Sequence, residues 1–177
     1  QVFSENDLPI PINSYGVQKF LAERLVLGYG YDVLRFPVLI GNSLLKNKKH
    51  FFDVIVDSLI TNKKLEMIND SLRNMLDFDT AAHICITLME RNEHFGVINI
   101  VGDECLSKHD IALRIAGIYK AHHENIIPIS FSSNSFFAEE RAKNLFLSNR
   151  KVKNILGIEE IKIKLTPNAM KETEGVL

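Results

Sequence analysis

Asn13-Ser14-Tyr15-Gly16-Val17-Gln18-Lys19-Phe20-Leu21-Ala22-Glu23 is the stretch around which the chain is organised. Read as a helix, it puts Tyr15 and Lys19 four residues apart on one face, about one turn from each other, so that an ammonium stands near a phenol. A free phenol, with a pKa of about 10, exchanges protons poorly near neutrality; a neighbouring cation stabilises the phenolate and makes tyrosine usable as a general acid or base. The same spacing also occurs on ordinary amphipathic helices, as a surface Tyr and Lys with no chemistry attached. Asn13 or Ser14 is the expected N-cap. Val17, Phe20, Leu21, Leu25 and Val26 recur at helical spacing, which predicts one packed face with Tyr15 and Lys19 on another. Glu23 reads as a surface ion-pair partner of Lys19, with positioning of that lysine as the sharper alternative.

Working outward, residues 31–36 form a strand-like run, and Pro37 ends regular pairing because it has no amide donor. A helix followed so closely by a buried strand suits a parallel α/β sheet, in which ligands lie beyond the carboxyl ends of the strands. Phe36, Pro37 and Val38 occupy that position. Arg35 reads first as a structural ion-pair partner. The only G-x-G, Gly28-Tyr29-Gly30, follows a helix and precedes a strand. That order is wrong for a phosphate-binding loop and right for a helix C-cap and turn.

The remaining pattern alternates in the same way. Residues 50–60 predict an amphipathic helix whose Phe51, Phe52, Ile55, Val56, Leu59 and Ile60 are core candidates. Residues 64–68 predict a strand and residues 69–71 a turn. Asp79 is the expected N-cap of a helix running to about Arg91, and residues 96–102 a second buried strand. Ser107 with Asp110 makes a capping-box relative opening a helix that buries Ile111, Leu113, Ile115, Ala116 and Ile118 and ends at His122-His123. Residues 125–130 predict a strand, residues 149–156 a short helix closed by Gly157, and the tail a strand near Ile161 and a helix from Thr166-Pro167.

Composition narrows the classes. A chain of 177 residues with 46% hydrophobic and 24% charged residues has the balance of an ordinary globular domain with its own core. The formal net charge of −1 leaves no overall basic field for nucleic acid or an anionic membrane, and Lys46 to His50 reads as a solvated basic loop. Two cysteines, Cys85 and Cys105, are too few for a disulfide framework and point to a reducing compartment. With no stretch long and apolar enough to span a bilayer and no signal peptide at the N-terminus, a cytoplasmic location is expected. No metal site is expected: adjacent histidines cannot both face one ion from a helix, and His122-His123 instead suits a helix C-terminus.

The run Pro11-Ile12-Asn13-Ser14-Tyr15-Gly16-x-x-Lys19-x-x-x-Glu23 resembles the active-site helix of the extended short-chain dehydrogenase/reductase family, and is nearest its dTDP-4-dehydrorhamnose reductase branch. Further segments are similar to family landmarks: Leu34-Arg35 through Gly41, Arg73 through Asp79, Gly96 through Gly102, and Arg141-Ala142-Lys143-Asn144 with Leu147-Ser148. Several depart from the pattern. Ile98 stands in place of an aromatic, Ala142 of a proline and Ser148 of an aspartate.

The resemblance implies an α/β fold comprising the C-terminal part of a Rossmann-type parallel sheet, residues 1–41 and 75–101, and a smaller α/β substrate-binding lobe, residues 42–74 and 102–177. It implies reduction of a 4-keto nucleotide sugar with NADP or NAD as cofactor. Tyr15 would be the proton donor, and Lys19 would hold the nicotinamide ribose and lower the tyrosine pKa. Phe36, Pro37 and Val38 would meet the nicotinamide, and Arg73 and Arg141 the substrate diphosphate. A catalytic Ser or Thr and the glycine-rich loop would lie upstream of Gln1, which makes the chain a C-terminal fragment in this reading, inactive alone. The expected partners are a nucleotide-sugar substrate and, as the open assembly state, a second copy in a homodimer. An epimerase or dehydratase of the same family and a non-catalytic, cofactor-binding regulatory subunit are the rival readings.

Overall fold

A computed structural model describes residues 1–43, 45, 47–133 and 139–165. The element order is β1 (Val2–Phe3), α1 (Ser14–Gly28), β2 (Val33–Arg35), β3 (Val38–Ile40), α2 (Phe51–Ile60), β4 (Leu65–Ile68), β5 (Arg73–Asp77), α3 (Phe78–Glu90), β6 (Val97–Asn99), β7 (Cys105–Leu106), α4 (Lys108–Ile118), β8 (Ile126–Ile129), β9 (Phe146–Leu147) and α5 (Arg150–Leu156). Pairing is parallel between β1 and β9, β2 and β6, β3 and β5, and β4 and β8, while β5 meets β7 antiparallel. Helices connect the parallel partners, as parallel pairing requires. This is the expected mixed α/β architecture.

Pro37 divides what would otherwise be one long strand. Before it, β2 pairs with β6 in the register Val33↔Val97 to Arg35↔Asn99; after it, β3 pairs with β5 in the register Val38↔Met75 to Ile40↔Asp77. A residue without an amide donor stands where the chain changes partners. Asp32 secures the first register: its Oδ1 accepts the Phe95 and Gly96 amides at 3.0 and 2.7 Å.

Two apolar clusters hold the elements. One joins Ile40 and Met75 of the β3–β5 pair to Phe52 and Ile55 of α2, Ile111 and Ile115 of α4, and Ile126 of β8. The other joins Leu76 to Ala81, Ile84 and Leu88 of α3, Ile98 and Ile100, and to Val152 and Ile161 from the C-terminal part. Alternation along β5 explains the division, since Met75 and Leu76 face opposite sides of the sheet. Both helix faces expected from α2 and α4 are therefore in the core, although Ile60 at the end of α2 is exposed.

Several sequence expectations need correction. α1 is present, capped by Asn13, whose side chain accepts the Gly16 amide at 2.8 Å. Yet none of its residues is buried, and Val17, Leu21 and Leu25, expected to pack, are exposed, the last two by 60% and 63%. The helix is about 22 Å long, whereas the three-residue strand β2 that it packs against extends only about 10 Å, so much of its apolar surface has no cover among the described residues. Glu23 does not pair with Lys19 but with Arg35. The N-cap of α3 is Asp77 rather than Asp79: Asp77 has extended backbone and its Oδ1 accepts the Thr80 amide at 2.8 Å. α4 stops at Ile118, short of His122-His123, because Lys120 takes a left-handed conformation with φ 50°. Ile161 is buried but lies in no strand; the Asp103 carboxylate takes its amide at 2.7 Å, where a neighbouring strand would otherwise have done so. The helix expected from Thr166 falls outside the described residues.

The other local readings hold. Tyr29 caps α1 and Gly30 turns the chain with φ 79°, so Gly28-Tyr29-Gly30 is a helix exit. Ser107 and Asp110 form a reciprocal capping box, and Gly157 closes α5 with φ 68°.

Candidate active site

The start of α1 is fixed from outside the helix. The Asn13 side chain donates to the Glu140 carbonyl at 2.8 Å, and the Ser14 amide donates to the Glu139 carboxylate at 3.2 Å. These bonds bind the first turn of α1 to the segment that carries Arg141. On the helix face, the Lys19 ammonium lies 5.5 Å from the Tyr15 ring centroid, so the two side chains share one side of α1 as their spacing required. Tyr15 is 66% exposed and open to solvent or ligand.

Tyr15 lines a cleft of about 280 Å³ together with Phe36, Pro37, Val38, Arg73 and Asn74, closed by Leu145 and Leu147. Three groups named from separate stretches of sequence thus meet around one space: the phenol, the Phe36-Pro37-Val38 segment between β2 and β3, and the guanidinium at the start of β5. The cleft is near the lower end of the size range of small-molecule sites.

Position within the fold explains the convergence. β2 ends at Arg35, whose guanidinium binds both carboxylate oxygens of Glu23 at 2.8 and 2.6 Å, tying the middle of α1 to the strand that leads into Phe36. Asn74, buried beside Arg73, donates to the Gly102 carbonyl at 2.9 Å and accepts the Leu147 amide at 2.7 Å, which brings the Leu145–Leu147 wall to the cleft. Sequence reading gave no site role to Asn74 or Leu145 and named Leu147 only as a family landmark. Their signal was weak, because β9 is two residues long and its partner β1 lies at the other end of the chain.

Arg73 donates to the Ala142 carbonyl, next to Arg141. Burial, and then the nearby Arg141 guanidinium, pull the pKa of Arg73 below the ordinary arginine value. The two arginines, far apart in sequence, are therefore neighbours, and Arg73 borders the cleft. Among the described residues Arg73 enters no ion pair with a carboxylate.

A larger hollow, about 530 Å³, lies at the other ends of β3 and β5, lined by Gly41, Asn42, His50, Asp77, Phe78 and Asp79 among others. Size alone does not make it the reactive site. It contains neither Tyr15 nor Lys19, and its buried carboxylate, Asp77, is already occupied by the Thr80 and Lys164 amides, each at 2.8 Å. Among the described residues no group of three His, Cys, Asp or Glu is placed to hold a metal ion, and no helix is long and apolar enough to cross a membrane.

Comparison with known proteins bears on the family and the fold. The family model described as RmlD substrate binding domain matches residues 1–172. By sequence, the chain is 28% identical over 160 residues to methionine adenosyltransferase 2 subunit beta of Rattus norvegicus, covering 86% of the chain and 47% of that protein. It thus spans about half the length of the curated relatives it matches. By structure, it is similar to dTDP-4-dehydrorhamnose reductase from Yersinia enterocolitica, with a TM-score of 0.75 and 20% identity, covering 93% of the chain and 56% of the other. It is likewise similar to the Bacillus anthracis reductase of that name in complex with NADP, with a TM-score of 0.76 and 17% identity over 90% and 55% of the two chains.

Proposed function

The chain belongs to the RmlD substrate binding domain family, and from that premise we propose that its full-length protein is an NAD(P)H-dependent reductase of a 4-keto nucleotide sugar. One observation carries the proposal: Tyr15, with Lys19 beside it on α1, opens into the same cleft as Phe36, Pro37, Val38 and Arg73. In this reading residues 1–41 and 75–101 belong to the cofactor-binding domain, and residues 42–74 and 102–177 to the substrate lobe.

The apolar Phe36-Pro37-Val38 wall fits a nicotinamide ring. NADPH or NADH, when bound, supplies the hydride that reduces the substrate carbonyl carbon. Tyr15 donates its hydroxyl proton to the carbonyl oxygen as that oxygen gains charge, and the Lys19 ammonium stabilises the phenolate left behind. Arg73 and Arg141 hold the diphosphate at the far end, so the sugar is stretched between the arginines and the phenol. The two cysteines are unpaired thiols, which suits a cytoplasmic enzyme. The uncovered Val17, Leu21 and Leu25 stripe offers a homodimer apolar surface to bury.

Reductase turnover of the full-length protein compared with its Tyr15→Phe form tests this directly. Loss of the general acid is expected to lower kcat by about 10²- to 10⁴-fold. Equal rates would end the proposal.

A second reading is favoured by the curated relatives, which carry the name of a subunit of methionine adenosyltransferase 2. Here the chain keeps the cleft and binds cofactor but serves a partner enzyme. Cofactor binding without turnover of any 4-keto nucleotide sugar, with Tyr15→Phe and wild type alike, would select it.

A further inference from the structure

We propose that Glu139 is a positioning residue for Tyr15: by tying the first turn of α1 to the segment that walls the cleft, it sets where the phenol stands relative to a bound substrate. The inference rests on the reductase reading above and concerns a side chain outside the residues that line the cleft.

A helix leaves its first amides without partners of its own. At the start of α1, Asn13 serves the Gly16 amide locally, at 2.8 Å. The Ser14 amide is served from 125 residues away: it donates to one oxygen of the Glu139 carboxylate at 3.2 Å, and the Ser14 hydroxyl donates to the other. The Asn13 side chain adds a bond to the neighbouring Glu140 carbonyl at 2.8 Å. A carboxylate at this end of a helix is favoured by the helix dipole as well. Tyr15 is the next residue, so whatever holds Ser14 holds the backbone from which the phenol projects.

The same segment makes another wall of the cleft. From Ala142 onward it is sewn to the start of β5 and the turn before it. Arg73 donates to the Ala142 carbonyl, the Leu72 amide to Asn144 Oδ1 at 2.8 Å, the Leu145 amide to the Leu72 carbonyl at 3.1 Å, and Lys143 pairs with Asp70 at 2.9 Å. Leu145 and Leu147 of this segment line the cleft together with Tyr15. Residues 139–147 are thus held to β5 at several points, whereas among the described residues their hydrogen bonds to the start of α1 come from Glu139 and Glu140, and only Glu139 contributes a side chain. The Glu23–Arg35 pair fixes α1 about two turns beyond Tyr15 and does not hold its first turn. A misplacement of about 1 Å in a reacting group costs about 10²-fold in rate, so the tie at Glu139 bears on proton donation.

Hydrogen–deuterium exchange and steady-state kinetics on the full-length protein, with dTDP-4-dehydrorhamnose and NADPH, test this. Glu139→Ala is expected to speed exchange in the first turn of α1 about tenfold, the worth of one charge-assisted hydrogen bond, with α5 unchanged as the internal reference. It should lower kcat about ten- to a hundredfold and leave KM near wild type. Glu139→Gln can keep both bonds, its amide oxygen accepting from the Ser14 backbone and its NH₂ donating to the Ser14 hydroxyl, and should restore both readouts. Unchanged exchange in Glu139→Ala would overturn the tie. A glutamine variant as impaired as the alanine one would show that charge rather than position matters, and a lowered thermal midpoint with unchanged kcat would show a role in stability alone; either result overturns the assignment. The two readings separate: if wild type reduces no 4-keto nucleotide sugar, the reductase proposal ends, and the exchange data still decide whether Glu139 fixes the turn that carries Tyr15.

Discussion

Breaking the Glu23–Arg35 pair should cost far more than breaking a surface ion pair, and should loosen the cleft. The guanidinium contacts both carboxylate oxygens, at 2.8 and 2.6 Å, and the two side chains are only 20% and 13% exposed. The carboxylate also raises the Arg35 pKa further, against the opposing effect of burial. Exposed pairs contribute about 0.2–1 kcal/mol, whereas stripping one partner from a fully buried pair costs about 3–5 kcal/mol. This pair lies between those limits. Glu23→Ala is expected to cost about 2–3 kcal/mol, since it leaves a half-buried guanidinium with only the more distant Glu5 as counter-charge. A double-mutant cycle with Arg35→Met should return a coupling of about 1.5–2.5 kcal/mol. Urea unfolding at about 0.1 M and 1 M salt provides the assay, because a desolvated bidentate pair keeps most of its coupling where an exposed one is screened. A coupling under about 0.5 kcal/mol, or one that vanishes at high salt, would refute the reasoning. Function should follow, because the pair ties α1 to the strand that runs into Phe36.

Two further perturbations probe the frame around the cleft. At Gly102 an added Cβ would stand 2.4 Å from the Met75 carbonyl oxygen in β5; Gly102→Ala is therefore expected to destabilise by about 2–3 kcal/mol, read from the urea midpoint, and a change within about 0.5 kcal/mol would contradict the close approach. Asp70, bonded to Lys143, the Phe131 amide and Ser130, has its pKa lowered to about 2 from 3.8. A depressed carboxylate stabilises the fold above its unfolded pKa and loses that contribution as pH falls through the folded one. The thermal midpoint of Asp70→Asn should thus fall below wild type at pH 7, with the gap closing between about pH 4 and pH 2; a gap of the same size at both extremes would exclude the linkage.

Legibility in the sequence followed the range of the forces involved. The capping side chains of Asn13 and Ser107, the exits at Gly30 and Gly157 and the amphipathic runs of α2 and α4 depend on neighbours within a turn or two, and each is where its local pattern placed it. Where local reading failed, a distant group had intervened. Arg35 competed with Lys19 for Glu23, and the Asp103 carboxylate took the amide that a strand at Ile161 would have offered. Val17, Leu21 and Leu25 show the same limit: periodicity reveals that a face is apolar, not what covers it.

Sequence by itself determined that Tyr15 and Lys19 share a side of one helix, because helical spacing is a local property and neither residue can leave that face without unwinding α1. Only tertiary structure decided that the phenol opens into a cleft, since that needs β2 to stop at Pro37, β5 to deliver Arg73 and β9 to bring Leu147, three strands whose pairing depends on contacts across most of the chain. The meeting of Arg73 with the segment that carries Arg141 belongs to the same class. Residues this distant along the chain become neighbours only when the segment before β9 folds back upon β5, where Arg73 donates to the Ala142 carbonyl.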